Sequence, residues 1–276
     1  MFAVAILAAG GWCVTKLGLA YFDPVSFMLL RFLLAGVVIS TFFVSRLDIS
    51  AVKQSLIPGL IMGVALVMWV FGVDTAEQMG MAGFLITAGI VLSPIYSHLF
   101  FNDPLRRSYW GKVFVSLLGA GLMAPEFSID SFFLFLSAAI LLGVHLSVQS
   151  HRSKSIDLRS YSAGQFFAVG AVFCVAFAFY HEKTSVPDAG IVGWALVCLS
   201  ATIFTAFRFV LQVLAQKYLT HQDSSFILNL ECVFLILFSV ILWGETYALS
   251  AILGALCVVA VIVPYRKIKT LVYSDS

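Results

Sequence analysis

The chain has 276 residues, of which 61% are hydrophobic and 11% charged, and its mean hydropathy is +1.03. Soluble domains carry roughly a quarter of charged residues, so this composition excludes a soluble protein and predicts an integral membrane protein in contact with the lipid bilayer. The net charge of +2 says little about partners, and we expect no nucleic acid among them.

The apolar runs are continuous and bounded by charges, whereas the strands of a membrane barrel would alternate apolar and polar residues. Helices satisfy their own backbone in lipid, so we predict an all-α integral membrane protein. Short connections, several closed by proline, leave no room for a soluble domain. The ten predicted spans are 2–21, 24–44, 56–73, 77–101, 109–123, 131–150, 161–180, 190–215, 224–244 and 248–264.

The first span, 2–21, has neither a basic start nor an obvious cleavage site. We therefore interpret it as a spanning helix and not as a signal peptide. Because it begins without a cytosolic lead-in, a longer native N-terminus remains open.

The cysteines all lie within apolar runs, where a small apolar residue suits helix contacts. Their spacing fits neither a disulfide framework nor a metal site, and the chain has no P-loop, zinc motif or nucleophile elbow. We therefore expect no cofactor, no metal ion and no catalytic residue. The five are Cys13, Cys174, Cys198, Cys232 and Cys257.

Among the connections and span ends, lysine and arginine fall on alternate sides of the membrane, apart from Lys183 on the opposite side. The positive-inside rule then places both termini in the cytoplasm of a multi-pass protein of the cell (inner) membrane. The orienting residues are Arg46, Lys53, Arg106, Arg107, Lys112, Arg152, Lys154, Arg159, Lys217, Arg266, Lys267 and Lys269.

The two halves of the chain repeat weakly. Arg31–Gly36 in span 2 aligns with Gln165–Gly170 in span 7, and Asn102-Asp103 aligns with Gly244-Glu245. Five spans per half is an odd number, so the second half enters the membrane upside down, as in secondary transporters. We therefore predict a first five-helix repeat at 1–125, a second, inverted repeat at 126–265, and a cytoplasmic tail at 266–276.

Several motifs occur in the order and spacing typical of one family. The chain resembles the EamA-type transporters of the drug/metabolite transporter superfamily over nearly its whole length. Two departures are Cys232, where the family usually has a proline that kinks span 9, and Trp12, which lies one turn beyond the family's usual tryptophan. The motifs are KLGL at 16–19, LRFLLA at 30–35, FL at 84–85 with Pro94 and Pro104, WG at 110–111, and LECVF at 230–234 running to Gly244-Glu245.

The resemblance implies ten helices around a central cavity lined mainly by spans 1, 3, 4, 6, 8 and 9. It also implies transport of small organic molecules, often outward, including amino acids and other metabolites. It names a mechanism class and no particular ligand.

Glu231 lies inside the apolar run 230–245, where a carboxylate costs about 2.5–3.5 kcal/mol on insertion scales. Arg208 lies twelve residues before Thr220, the centre of the preceding connection, and Glu231 lies eleven after it. At about 1.5 Å of rise per residue, the two charges reach similar depths. We therefore predict that they pair, either in or beside the cavity or as a purely structural link between two helices.

Two further cations lie within spans. Lys16 is near the outer end of span 1, where it either reaches the headgroups or stands at the cavity mouth. For Arg31, in the peripheral span 2, we favour a structural salt bridge with Asp23, Asp74 or Glu77, and contact with the substrate is the alternative.

The remaining candidates are polar or aromatic side chains that could line a cavity. His145 and Gln149 lie one turn apart on span 6, and either a structural or a proton-carrying role is open for the histidine. The full set of candidates for substrate binding or coupling is Glu231, Arg208, Lys16, Trp12, Trp69, Thr87, Tyr96, His145, Gln149 and Asn229.

These patterns predict a secondary transporter that moves a small organic solute by alternating access. The resemblance implies that the solute is an amino acid or a related metabolite or drug-like compound, and it favours outward transport. Proton-coupled import, facilitated diffusion and, less favoured, a membrane enzyme are the alternatives. Glu231 is the expected site of protonation or of contact with a cationic group of the solute. Protons are a candidate coupling ion, and the protein is expected to be a monomer or a homodimer.

Overall fold

A computed structural model describes residues 1–42, 48–76, 79–123, 129–152, 156–180 and 189–261. Within these ranges the chain is helical and contains no strand, which confirms the all-α class. A π-helical segment, Thr202–Phe207, joins α8 to α9. The helices are α1 (Phe2–Gly18), α2 (Pro24–Phe42), α3 (Ile49–Thr75), α4 (Met79–Phe101), α5 (Arg107–Met123), α6 (Ile129–Arg152), α7 (Leu158–Phe179), α8 (Gly190–Ala201), α9 (Arg208–Tyr218), α10 (His221–Leu228), α11 (Leu230–Trp243) and α12 (Leu249–Ala260).

Six helical stretches in the described ranges are long and apolar enough to cross a membrane, and α1, α12 and most of α4 are shorter apolar helices. The protein is therefore a multi-pass membrane protein. The predicted repeat boundary at 125/126, the tail 266–276, and the charges Arg46, Glu77, Lys154 and Lys183 lie outside the described residues.

Side-chain caps set several helix ends beyond the apolar runs. The Asp48 carboxylate accepts hydrogen bonds from the backbone of Ser50 and Ala51, so α3 begins at Ile49, well before the predicted start at residue 56. Thr220 caps α10 in the same way through the backbone N–H of Asp223. At the other end of the same span, Gly244 closes α11 with a left-handed φ of 66°.

Span 9 lacks the family's proline at Cys232, and its helix is interrupted three residues earlier, at Asn229. Helix α10 ends at Leu228 and α11 begins at Leu230. Between them, the Asn229 carbonyl oxygen accepts a hydrogen bond of 3.0 Å from the thiol of Cys232. This break divides a polar first part of the span from the apolar run that carries Glu231.

Close helix contacts bring α3, α4, α6 and α7 together. A Cβ added to Gly89 of α4 would lie 2.2 Å from the Ala139 carbonyl oxygen of α6, so these two backbones touch only because a glycine is present.

A hydrogen bond also joins α3 to α6. Pro58 of α3 lacks an N–H and leaves the Gln54 carbonyl free, and Arg152 of α6 donates to that carbonyl. The bundle therefore closes tightly around its centre.

Candidate functional site: a charged cavity among the helices

A cavity of about 100 Å³ lies among seven helices, α1, α2, α3, α4, α6, α9 and α10, and at the first turn of α11. Since a water molecule takes up roughly 30 Å³, it has room for about three. Six of these seven helices belong to the spans that the resemblance implied as the lining of a central cavity. The exception is α2, which was expected to be peripheral but contributes Met28, Arg31 and Phe32 to the wall.

Glu231 faces the cavity from the first turn of α11 and is only 8% exposed. Its Oε1 accepts a hydrogen bond of 2.6 Å from the indole Nε1 of Trp12. The Trp12 ring is itself held edge-on by Trp69, with ring centroids 4.7 Å apart, and stacks on Phe135 at 6.2 Å. An aromatic cluster on α1, α3 and α6 therefore fixes the donor that satisfies the buried carboxylate.

Arg208 lines the same cavity from the first residue of α9, but it does not form the predicted direct ion pair with Glu231. Its Nη1 donates to Gln212 Oε1 at 3.2 Å, and its guanidinium carbon lies 4.4 Å from the centre of the Phe209 ring. Each charge still acts on the other through space. Equal depth brought both residues to one cavity but did not bring their charged groups into an ion pair.

Arg31 is buried, and it forms no salt bridge with Asp23 or Asp74, the two predicted partners within the described residues; the third, Glu77, lies outside them. Its Nε donates to Thr205 Oγ1 at 2.6 Å and its Nη1 to Thr15 Oγ1 at 2.7 Å. Asp23 instead caps α2 by accepting from the backbone N–H groups of Val25 and Ser26. The other described candidate, Asp74, is on the surface. Two hydroxyl groups therefore take the place that we had assigned to a carboxylate.

Lys16 lies outside the cavity wall, contrary to its candidate role at the cavity mouth. Its Nζ donates to the carbonyl oxygens of Val73, Asp74 and Ala76 at 2.9, 3.3 and 3.1 Å. The last carbonyls of a helix have no partner within the helix, and a lysine commonly satisfies them. Lys16 is therefore a cap that ties the end of α3 to α1.

His145 lines the cavity, and a polar seam of buried glutamines continues from it. Its Nδ1 donates to the Pro58 carbonyl at 3.1 Å, and the amide nitrogen of Gln165 lies 3.3 Å from the same ring atom. One turn further on, Gln149 donates to Gln216 at 2.8 Å. Among the described residues, Gln149 Oε1, Gln165 Oε1 and Gln216 Nε2 are buried without a partner, so the seam has unused hydrogen-bonding capacity.

The structure divides the remaining candidates. Trp69 lines the cavity, but Gln149, Thr87, Tyr96 and Asn229 do not. Thr87 is buried against Cys232, and Tyr96 stacks on Phe100 with ring centroids 6.4 Å apart. The polarity of a residue within a span did not reveal whether its side chain faces the cavity or a neighbouring helix.

Sequence reasoning missed Thr15, Thr205, Gln212, Gln165 and Gln216. The spacing of Arg208, Gln212 and Gln216 at every fourth residue was the available signal, because such residues share one helix face. No comparable pattern marked the two threonines, which meet Arg31 from distant parts of the chain.

Comparison with known proteins agrees with this architecture. Residues 131–264 match the EamA-like transporter family. The chain is 25% identical over 265 residues to an uncharacterized transporter of Archaeoglobus fulgidus, a match that covers 94% of this chain and 82% of that one. A solved crystal structure shares its fold with a TM-score of 0.73 at 14% identity, over 94% of this chain and 93% of the other.

The domain and the relative both point to a transporter rather than an enzyme. Together, the EamA-like match over residues 131–264 and the similarity to this transporter support an EamA-type protein of the drug/metabolite transporter superfamily.

Proposed function

We propose that the protein is a secondary transporter that binds a small organic solute, an amino acid or related metabolite, in the charged cavity and carries it across the membrane by alternating access. The observation that carries this proposal is the position of Arg31, Arg208 and Glu231 around one cavity. Ionisable residues within membrane helices are costly and typically mark a substrate or ion pathway.

The same proposal includes ten spans in two inverted repeats. Across the described residues, the helices form ten rods when α8, the π-helical segment and α9 count as one, and α10 with α11 as another. Helices from the two sides of the predicted boundary pack together, with α2 and α3 against α7, α1 against α11, and α5 against α12. Such contacts suit a binding site where two repeats meet.

Export is the direction we favour, from an inner membrane with both termini in the cytoplasm. Proton-coupled import and facilitated diffusion of the same solute class are the alternatives. Glu231 is the candidate coupling residue, because a carboxyl held by one neutral indole donor can exchange a proton or a cationic group without breaking an ion pair.

The test begins with a thermal-shift screen of the purified protein against metabolite mixtures, since a ligand that binds only the folded state raises the melting temperature. Uptake of the selected solute is then measured in proteoliposomes with and without a pH gradient. The decisive variant is Glu231→Gln, and Glu245→Gln is the matched control, because Glu245 lies outside the cavity at the end of α11.

A coupling role predicts that Glu231→Gln loses gradient-driven uptake but keeps solute exchange. A substrate-anchoring role predicts that it loses binding itself. Unchanged binding and unchanged gradient-driven uptake in folded Glu231→Gln would exclude both roles. A wild-type protein that moves no solute in either direction would overturn the proposed function.

A further inference from the structure

We infer that the transported solute carries an anionic group, a carboxylate or a phosphate, and that this group lies between the guanidinium groups of Arg31 and Arg208. The inference rests on the proposed function, because it names the class of solute that the same cavity would hold.

The cavity carries an excess of positive charge. Among its described lining residues there are two guanidinium groups and one carboxylate, that of Glu231. Lys16 and the surface acids lie elsewhere, so they do not change this balance locally. A buried charge without a counter-ion is strongly unfavourable, and an incoming anion would supply the missing one.

The partners of both arginines are neutral. Arg31 donates to the hydroxyl groups of Thr15 and Thr205, and Arg208 donates to the amide oxygen of Gln212. Both guanidinium groups line the same cavity, so their like charges repel each other there. An anion between them would replace this repulsion by two attractions.

Arg31 also has a donor to spare. Its Nε and Nη1 are occupied by the threonines, which fix the plane of the guanidinium group. Its Nη2 has no hydrogen-bond partner among the described residues and lies beside Gly11, where an added Cβ would come within 3.5 Å of it. Since Gly11 is part of the cavity wall, this free N–H group borders the cavity.

Glu231 does not neutralise either arginine directly, because Trp12 holds its carboxylate. The arrangement therefore offers two guanidinium forks, whose planar geometry suits carboxylate and phosphate oxygens. Trp69 and Phe32 line the same cavity and are available to the apolar part of the solute.

The test uses the purified full chain in detergent at constant ionic strength and four small compounds. Acetate and methylphosphonate carry the two candidate anions, acetamide has nearly the shape of acetate without the charge, and methylammonium has the opposite charge. We expect acetate or methylphosphonate to raise the melting temperature, and acetamide and methylammonium to leave it unchanged. Stabilisation by acetate alone assigns a carboxylate, and stabilisation by methylphosphonate alone assigns a phosphate.

Substitutions then locate the site. Arg208→Gln is expected to weaken anion binding at least about tenfold, and Arg208→Lys to restore part of it. Arg107→Gln is the matched control, because Arg107 is exposed on α5, and it should bind as the wild type does. Arg31→Gln removes a buried hydrogen-bonding group and can unfold the chain. The test therefore does not rely on this variant, because the comparison of acetate with acetamide uses the wild-type protein.

Equal stabilisation by acetate and acetamide, or anion binding that is unchanged in Arg208→Gln, would overturn the inference. Uptake of a neutral or cationic solute through the cavity would also overturn it but would leave the proposed transporter standing. Specific anion binding without uptake of any solute would support the site and count against transport.

Discussion

The indole of Trp12 and the carboxylate of Glu231 meet across 219 positions of the chain in a hydrogen bond of 2.6 Å. This contact joins α1 to α11, two helices that pack against each other along the cavity. It gives the buried acid a neutral hydrogen-bond partner. The two arginines of the cavity donate instead to threonine hydroxyl groups and a glutamine amide.

Replacing Trp12 by phenylalanine keeps an aromatic ring in the cluster but removes the donor to Glu231. We expect a loss of about 1–3 kcal/mol of stability, because a buried acceptor is left unsatisfied. Thermal unfolding in detergent measures it, with Trp110→Phe on the exposed face of α5 as the control. A Trp12→Phe protein as stable as this control would show that the hydrogen bond contributes nothing.

Arg208 and Glu231 should be coupled although they do not touch. Each charge acts on the other in a low-dielectric cavity, so Arg208→Gln with Glu231→Gln should cost less than the sum of the two single changes, by about 1 kcal/mol. A double-mutant cycle on unfolding stability gives this number. Simple additivity of the single losses would mean that the two charges are independent.

Lys16→Met should destabilise the protein without changing which solutes bind. The methionine keeps most of the apolar stem but leaves the last carbonyls of α3 without their donor, at a cost of about 1 kcal/mol. Unfolding temperature and anion affinity are measured on the same sample. A Lys16→Met protein with altered anion affinity and normal stability would return Lys16 to the list of binding residues.

The charge distribution predicts the orientation in the membrane. In a cysteine-labelling or fusion-reporter scan, the segments 46–53, 103–112, 151–159 and 217–223 and the C-terminus should all report as cytoplasmic. A C-terminus found outside would contradict both the ten-span count and the inverted repeat.

How far the sequence predicts this site depends on the kind of information required. Depth follows from counting residues, and counting brought Arg208 and Glu231 to one cavity. The direction of a side chain around its helix does not follow from counting, since α1, α2 and α11 are apolar on all sides and have no polar face to orient them. For this reason the sequence left the role of Lys16 open between the headgroups and the cavity mouth, and it did not predict that Arg31 lines the cavity.

The π-helical segment Thr202–Phe207 has a consequence for the length of this helix. A π turn holds about one residue more than an α turn of similar rise, so the stretch Gly190–Tyr218 carries one surplus residue immediately before Arg208. Deleting one residue from the π-helical segment would restore an α-helix. The side chains of α8 and α9 would then keep their present directions around the helix axis. Deleting one from α8 would instead rotate the turns before it by about 100° relative to Arg208. Among relatives of this protein, we therefore expect gains and losses of single residues in this helix to concentrate at positions 202–207.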